Sequence, residues 1–260
     1  MKVTIIIPTT GNQYLTECIA SVRAQTYGKD SSIGYSNKIE HIVVVDGNER
    51  WGKTNPILMD AEFPNGLNEH VCVLLYSTGI NRYNGHRVYG AATYFADGDY
   101  HLWLDDDNAI EPTHVESLVK LVQEKNLDWA FSFRKIIDGQ GNVICNDDCE
   151  SLGLWHSILS PQDFFVDVNC YFVKKEVAVG MSPVWYRKFR EPGQMEIDRA
   201  IASVLMSKQN NLKFDGTKDY TVKYRVGNTG LSVQAEFFIQ GNQKMLELHN
   251  GKLPWKSYGE

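Results

Sequence analysis

Long hydrophobic runs are absent from this 260-residue chain. A helix needs about 20 consecutive apolar residues to cross a bilayer, and no stretch approaches that length, so we expect no transmembrane segment. The chain passes from Met1 almost directly into an apolar stretch at residues 3–7 without a cleavage site, so we expect no signal peptide either. These absences favour a cytoplasmic protein and leave peripheral contact with a membrane open.

Paired cysteines and an excess of basic residues are also lacking. The five cysteines include no C-x-x-C pair. Cys145 and Cys149 are four residues apart, but no histidine cluster accompanies them, which argues against zinc and indicates reduced thiols. Lysine and arginine total 26 against 32 acidic residues, a formal net charge of −6. Such a chain has no global basic field to attract nucleic acid, and we expect none as a partner.

Short apolar runs alternate with helical patterns in the first half of the chain. Predicted strands cover residues 3–7, 41–45, 71–75 and 100–104, and predicted helices cover 15–22, 86–96 and a segment from Pro112. Residues 48–69 are mostly polar and contain two glycines and two prolines, so we expect a long loop there. Strands that alternate with helices predict an α/β fold with a mostly parallel central sheet flanked by helices.

The second half is less regular and predicts a smaller, mixed region. Residues 129–137 and 143–145 flank a short segment rich in glycine, the pattern of a hairpin. A further strand is predicted at residues 168–173, and a helix is predicted to start near residue 196. No repeat, low-complexity tract or linker divides the chain, which favours one domain over two.

Polar or turn-forming residues end three of the predicted strands. Pro8 ends the first strand, Asp46 the second and Asp105 the fourth. Ligands of open parallel sheets bind beyond the carboxyl ends of the strands. We therefore expect these three segments to meet in one crevice.

The fourth strand leads into Asp105-Asp106-Asp107-Asn108, called the acid segment below. Neighbouring carboxylates repel each other unless a cation shares their charge, and oxygen ligands suit Mg²⁺ and Mn²⁺. Because such ions often bridge to phosphate oxygens, the segment points to a metal–diphosphate site. A polar loop, or the acid-rich start of a helix, is the alternative that the segment alone leaves open.

Five segments in this order resemble the family 2 glycosyltransferases of GT-A fold. They are residues 3–9 (VTIIIPT), 20–27 (ASVRAQTY), 43–47 (VVVDG), 98–107 (GDYHLWLDDD, close to the family's G-D-Y-x-x-x-L-D-x-D), and 224–226 (YRV) with Ser232. The resemblance implies a single GT-A domain over residues 1–260. Residues 1–110 would form its nucleotide-sugar half, and residues 111–260 its acceptor half.

The resemblance also implies a nucleotide-sugar donor, a divalent metal (Mn²⁺ or Mg²⁺) and inversion at the anomeric carbon. Carried over by position, Asp46 would hold the base or ribose. Asp105 would contact the ribose or, through water, the metal, and Asp107 would ligate the metal on the donor diphosphate. The other nucleotide-binding candidates are Pro8, Thr9, Gly11, Arg87 and Asp106. A UDP-sugar is the favoured donor, and a saccharide or lipid-linked saccharide the expected acceptor.

Three points in this assignment have alternatives. The loop with Thr9 and Gly11, where glycine allows close backbone approach, also fits a simple turn capped by Asn12. Arg87 is the candidate diphosphate contact, and a surface arginine is its alternative. Gly227 stands where the family usually has a late histidine, which puts one metal or phosphate ligand in doubt.

The resemblance places the general base at the start of the helix near residue 196. An inverting transferase must remove a proton from the acceptor hydroxyl, and a carboxylate does this. Alignment with the family's E-D segment makes Glu196 the preferred base and Asp198 the alternative. Both acids would also simply suit the positive end of a helix.

Two other classes of protein compete with the transferase interpretation. A nucleotidyltransferase shares nucleotide-binding α/β architecture and acidic metal ligands, but it usually has a glycine-rich loop and a basic residue after the first strand, which residues 9–12 (TTGN) lack. A non-catalytic protein that binds a nucleotide or carbohydrate would not need the intact acid segment. Turnover separates both from a glycosyltransferase in glycan or cell-surface polysaccharide synthesis.

Overall fold

The computed structural model describes residues 1–29, 38–66, 68–79, 85–187, 197–227 and 232–256. Within them, a nine-stranded sheet has the order β3-β2-β1-β4-β8-β6-β9-β5, with β7 paired to β6. Its strands are β1 (Val3–Thr9), β2 (Ile39–Val45), β3 (Glu69–Val73), β4 (Tyr100–Trp103), β5 (Ala109–Ile110), β6 (Trp129–Ile137), β7 (Val143–Asn146), β8 (Tyr171–Lys174) and β9 (Phe214–Arg225).

Helices flank this sheet. The α-helices are α1 (Leu15–Arg23), α2 (Trp51–Asp60), α3 (His86–Phe95), α4 (His114–Lys125), α5 (Lys175–Met181), α6 (Ile197–Met206) and α7 (Ala235–Leu248). Short 3₁₀ helices cover Asn48–Arg50, Val168–Cys170, Ser182–Tyr186 and Lys208–Asn210. The α/β fold with a mostly parallel sheet flanked by helices is confirmed.

The N-terminal half is a parallel sheet. β1 pairs in parallel with β2 and β4, and β2 pairs in parallel with β3. All seven residues of β1 and of β2 are buried, as expected for strands covered on both faces. The predicted apolar face of α1 is confirmed, since Leu15, Cys18, Ile19 and Val22 are all buried.

The C-terminal half is mixed. β6 and β7 form the predicted antiparallel hairpin, whereas β6 pairs in parallel with β9 and antiparallel with β8. The antiparallel pair of β8 with β4 joins this region to the parallel strands. The smaller mixed region expected from the sequence is therefore continuous with the main sheet.

Two local predictions were wrong. Residues 48–69 do not form one long loop, because α2 lies within them and packs on α1. Thr54 and Leu58 form the buried face of this helix. The sequence did not predict it because Pro56 and the glycines of this segment are typical of loops. The strand predicted at residues 168–173 starts only at Tyr171, because the Asp167 carboxylate accepts the Asn169 N–H and caps a 3₁₀ turn.

Close packing between backbones fixes the parallel half. Gly98 lies just before β4, and a side chain there would overlap the Thr4 backbone nitrogen and lie 2.8 Å from the Val3 carbonyl carbon. The Gly98 N–H also donates to the Thr4 hydroxyl at 2.8 Å. The glycine thus lets β4 enter beside β1 in the register that places the acid segment.

Candidate active site

The ends of β1, β2 and β4 meet at one edge of the sheet, as the sequence predicts. The Asp46 N–H donates to the Thr9 carbonyl at 2.9 Å, which joins the ends of β2 and β1. The Leu104 N–H donates to the Ile6 carbonyl at 3.0 Å, which joins the end of β4 to β1. Because these strands are parallel, the residues that follow their carboxyl ends line one common crevice.

The loop between β1 and α1 holds Asp106. The Thr9 hydroxyl donates to the Asp106 carboxylate at 2.5 Å, and the Gly11 N–H donates to the Thr9 hydroxyl at 3.0 Å. Burial raises the pKa of Asp106 to about 6, although the Thr9 hydrogen bond opposes that rise. Gly11 has φ +80°, and a side chain there would lie 3.1 Å from Lys53 carbon atoms. The loop therefore needs glycine, and Asp106 serves first to shape it.

Asp105 is held from two other elements. The Tyr89 hydroxyl of α3 donates to Asp105 Oδ1 at 2.5 Å, and Asn169 Nδ2 donates to Oδ2 at 2.9 Å. The Asp105 N–H in turn donates to Asn169 Oδ1 at 2.7 Å. Burial, followed by the charge of Asp107, raises the pKa of Asp105 to about 7. The carboxylate is thus fixed in one orientation at the bottom of the acid segment.

Arg225, at the end of β9, fixes the other end of the acid segment. Its Nε donates to the Asp107 carbonyl at 2.9 Å, and its backbone N–H donates to Asn108 Oδ1 at 2.8 Å. Its Nη2 pairs with Glu17 at 2.5 Å, and its guanidinium lies 4.0 Å from the Tyr14 ring centroid. The late segment that contains Arg225 therefore closes onto the acid segment, although neighbouring Gly227 offers no ligand.

The acid segment fits a divalent cation that arrives with phosphate oxygens. Among the described residues, no group of three or more His, Cys, Asp or Glu side chains is arranged to hold a metal alone. The charge of Asp107 nevertheless helps to raise the pKa of Asp105 and Asp106, after burial. Burial and these three carboxylates also raise the pKa of the Cys18 thiol. Such crowded negative charge suits Mg²⁺ or Mn²⁺, which commonly take one or two carboxylates together with substrate phosphates.

Asp46 and Arg87 meet through Thr78. Asp46 accepts the Thr78 N–H at 2.6 Å and the Thr78 hydroxyl at 3.1 Å. Arg87 Nη1 donates to the Thr78 carbonyl at 2.7 Å. The structure therefore brings both predicted nucleotide contacts to one side of the crevice, where both hold Thr78. Pro8 is buried beside them, and a side chain at Gly85 would lie 2.6 Å from its ring.

The two candidate bases differ in what the structure describes. Glu196 lies outside the described residues. Asp198 is the second residue of α6 and accepts the Arg199 N–H at 2.7 Å. Burial, followed by the charge of Asp198, raises the pKa of Tyr171, so the Asp198 carboxylate lies near the start of β8. The predicted helix near residue 196 is confirmed as α6, from Ile197.

Sequence reasoning missed a buried ionic group, called the Arg134 cluster below. The side chain of Arg134 is 1% exposed, and the guanidinium pairs with Asp147 at 2.8 Å, Asp167 at 2.5 Å and Glu150 at 2.6 Å. Arg199 completes the cluster through Glu150 at 2.8 Å. Burial alone would lower the pKa of Arg134, but the three carboxylates raise it well above its usual range. A pair of adjacent charges within the apolar β6 run was the available signal.

Comparisons with known proteins identify the type of fold. The family model described as Glycosyl transferase family 2 matches residues 4–158. TarS 1–349 from S. aureus, solved with UDP-GlcNAc, is 17% identical with a TM-score of 0.62, and the match covers 92% of this chain and 64% of that one. The mannosyltransferase PcManGT from Pyrobaculum calidifontis, solved with GDP-Man and Mn²⁺, is 13% identical with a TM-score of 0.57, covering 97% and 66%.

At these identities the likeness concerns the fold alone. The chain spans less than two thirds of the length of each of these two solved chains. No curated protein matches the chain significantly. Among the described residues, every helix is too short or too polar to cross a membrane.

Proposed function

This chain belongs to glycosyl transferase family 2, whose model matches more than half of its 260 residues, and we propose that it is a metal-dependent, inverting glycosyltransferase. The observation that carries the proposal is the meeting of three parallel strand ends around the acid segment. Crevices at such ends bind nucleotides in open α/β sheets. The negative charge collected there suits a cation with a diphosphate better than a bare anion.

The donor is a nucleotide sugar, with a UDP-sugar favoured. TarS is solved with UDP-GlcNAc and PcManGT with GDP-Man, which supports the class of donor. In this proposal Pro8, Thr9 and Gly11 line the nucleoside pocket, and Asp46 contacts the base or ribose. Arg87 contacts the diphosphate, while Asp105 and Asp106 complete the nucleotide site.

The divalent ion, Mn²⁺ or Mg²⁺, would be held by Asp107 with Asp105 beside it. When bound, such an ion neutralises the charge that develops on the leaving diphosphate. Asp105 is oriented by Tyr89 and Asn169, and the Asp107 backbone is held by Arg225. These contacts fix the Asp105 carboxylate and the Asp107 backbone before the donor binds, which lowers the ordering cost of binding.

The general base is Glu196, with Asp198 as its alternative. Glu196→Gln keeps the side-chain shape and removes the proton acceptor, so transfer should fall by about 10²–10⁴-fold while donor binding stays near normal. Asp198→Asn should cost less. The opposite pattern would assign the base to Asp198. Two unaffected variants would mean that the base lies elsewhere or that the protein is not an inverting transferase.

The acceptor is a saccharide or lipid-linked saccharide, in the synthesis of a glycan or cell-surface polysaccharide. Leu154, Leu159 and Phe164 are 41–56% exposed in a segment whose Asp163 pairs with Arg199 beside Asp198. Apolar side chains at this place support an acceptor with an apolar part. They also support peripheral contact with a membrane.

Donor turnover tests this proposal. The protein is incubated with UDP-GlcNAc, other UDP-sugars or GDP-mannose, with Mn²⁺ or with EDTA, and release of UDP or GDP is measured. Water can replace the unidentified acceptor at a slow rate, so an acceptor is not required. We expect release with Mn²⁺ that stops in EDTA. Absence of both binding and release for every donor would contradict the proposed function.

A further inference from the structure

A continuous chain of polar contacts leads away from the acid segment. Asn169 exchanges two hydrogen bonds with Asp105, at 2.7 and 2.9 Å. Its Nδ2 also donates to Asp167 Oδ1 at 2.8 Å. One amide group thus joins the bottom of the acid segment to a carboxylate of the Arg134 cluster.

The chain continues through the Arg134 cluster to α6. Asp167 accepts Asn169 on Oδ1 and Arg134 on Oδ2 at 2.5 Å. Glu150 accepts Arg134 on Oε2 at 2.6 Å and Arg199 on Oε1 at 2.8 Å. Arg199 follows Asp198, and its backbone N–H donates to that carboxylate at 2.7 Å. The path therefore ends at Asp198, the alternative candidate for the base.

Each carboxylate in this path uses one oxygen for the group before it and the other for the group after it. A shift of one member therefore misaligns the next contact. The side chain of Arg134 is 1% exposed, and those of Asp167 and Glu150 are 11% and 14% exposed, so water has little access to the centre of the path. Buried ion pairs carry a large desolvation cost and are weak evidence of stabilisation, which leaves positioning as the role that this geometry favours.

We propose that Asn169, Asp167, Arg134, Glu150 and Arg199 form a positioning relay that fixes the acid segment and the start of α6 relative to each other. The inference rests on the proposed function, since it concerns the metal–nucleotide site and the candidate base. None of the five is assigned contact with substrate. Each acts through Asp105 at one end or Asp198 at the other.

Asn169→Ala is the first test, with Ser182→Ala as its matched control. Ser182 is also buried, and its hydroxyl donates to the Ala178 carbonyl at 3.0 Å, away from the relay. Substitution of a residue that orients a metal ligand typically reduces metal affinity or activity by about 10–100-fold. Calorimetry of UDP and of GDP with Mn²⁺ should show about a tenfold or greater loss of affinity for Asn169→Ala, a near-normal affinity for Ser182→Ala, and similar melting temperatures.

The metal dependence separates positioning from general damage. In EDTA, Asn169→Ala and the wild-type protein should bind the nucleotide equally weakly, because the lost contribution is that of the metal site. No binding by the wild-type protein under any condition would contradict the proposed function and, with it, this inference. Wild-type binding that Asn169→Ala leaves unchanged, or that Ser182→Ala weakens equally, would overturn the inference alone.

A double-mutant cycle tests whether the path is connected. Arg199→Met changes the far end of the relay, and we expect it to weaken Mn²⁺-dependent binding of UDP or GDP by about threefold. Combined with Asn169→Ala, the loss should be smaller than the product of the two single losses, because the path is already broken. A strictly multiplicative loss, or no effect of Arg199→Met, would contradict the relay.

Discussion

The two halves of the molecule place their carboxylates by different means. In the N-terminal half (residues 1–110), apolar parallel strands β1, β2 and β4 deliver Asp46 and the acid segment to one edge by backbone register. In the C-terminal half, Asp147, Glu150 and Asp167 surround one buried guanidinium. The carboxylates of the first half are therefore positioned by the close packing of strands, and those of the second half by charge balance.

This difference predicts different sensitivities. A core packed to the density of an organic crystal responds to one added methyl group, whereas an ionic cluster responds to the removal of one partner. The two halves share an edge where Asn169 contacts Asp105. Substitutions that change only volume or only charge should therefore affect them unequally.

Removal of the Arg134 charge should have the largest effect on stability. Arg134→Met leaves three carboxylates buried without their shared partner, so the free energy of unfolding should fall by about 3–5 kcal/mol. Urea denaturation measures the loss. Lys120→Met is the control, since Lys120 pairs with Glu124 at 3.9 Å on the surface, where such pairs contribute about 0–1 kcal/mol. Equal losses of unfolding free energy in both variants would contradict the claim that charge balance around Arg134 stabilises the C-terminal half.

An added methyl group at Gly98 tests the packing of the parallel half. Gly98→Ala places a carbon against the Thr4 and Val3 backbone, and overpacking of this kind costs about 1–3 kcal/mol. Gly180→Ala is the matched control because nothing lies within 4 Å of its new carbon, and alanine in helix α5 should stabilise by about 0.5–1 kcal/mol. If both variants unfold at the same denaturant concentration, β1 and β4 are not closely fixed.

Buried His41 in β2 should make the stability of the parallel half depend on pH. Both ring nitrogens lack a hydrogen-bond partner among the described residues, and burial lowers the His41 pKa from 6.5 to about 3. Between these two pH values His41 is protonated in the unfolded chain and neutral in the folded protein. The free energy of unfolding therefore falls as the pH drops below 6.5. At about 1.4 kcal/mol per pH unit, this cost reaches about 2 kcal/mol at pH 5.

His41→Leu should remove this pH-dependent cost. The variant's stability relative to wild type should rise by about 2 kcal/mol between pH 7 and pH 5, as measured by urea unfolding at each pH. The comparison of variants is needed because the raised pKa of Asp105, Asp106 and Glu150 acts in the opposite direction. A flat difference for His41→Leu would mean that its imidazole titrates normally in the fold.

The sequence allowed prediction of the parts that depend on local pattern. Buried strands, the face of α1 and the meeting of strand ends follow from short apolar runs and from parallel topology. Helix α2 was missed because Pro56 and Gly52 are typical of loops. Its buried face results from packing on α1, which the local sequence does not show. The start of β8 was misplaced because Asp167 caps a turn that apolar residues conceal.

Contacts that hold the candidate site could not be predicted in the same way. Tyr89 lies 16 residues before Asp105, and Asn169 lies 64 residues after it. Neither residue belongs to a pattern that marks it as a partner. β6 contains two charged residues, Arg134 and Lys135, and the sequence does not indicate which of them is buried. The three carboxylates that pair with Arg134 come from separate points of the following segment. Three-dimensional proximity supplied these assignments.

Nucleotide binding by Asp107→Ala tests the central claim most directly. Calorimetry with UDP or GDP is run with Mn²⁺ and with EDTA, and Asp97→Ala serves as control because Asp97 precedes β4, at the opposite end of that strand, and pairs with Lys2 on the surface. Removal of a direct metal ligand should weaken nucleotide binding by more than the roughly 10–100-fold typical for residues that only orient a ligand. We therefore expect strong Mn²⁺-dependent binding in the wild type and in Asp97→Ala, and almost none in Asp107→Ala. Wild-type affinity in Asp107→Ala, or wild-type binding that EDTA leaves unchanged, would contradict the assignment of the acid segment as a metal–diphosphate site.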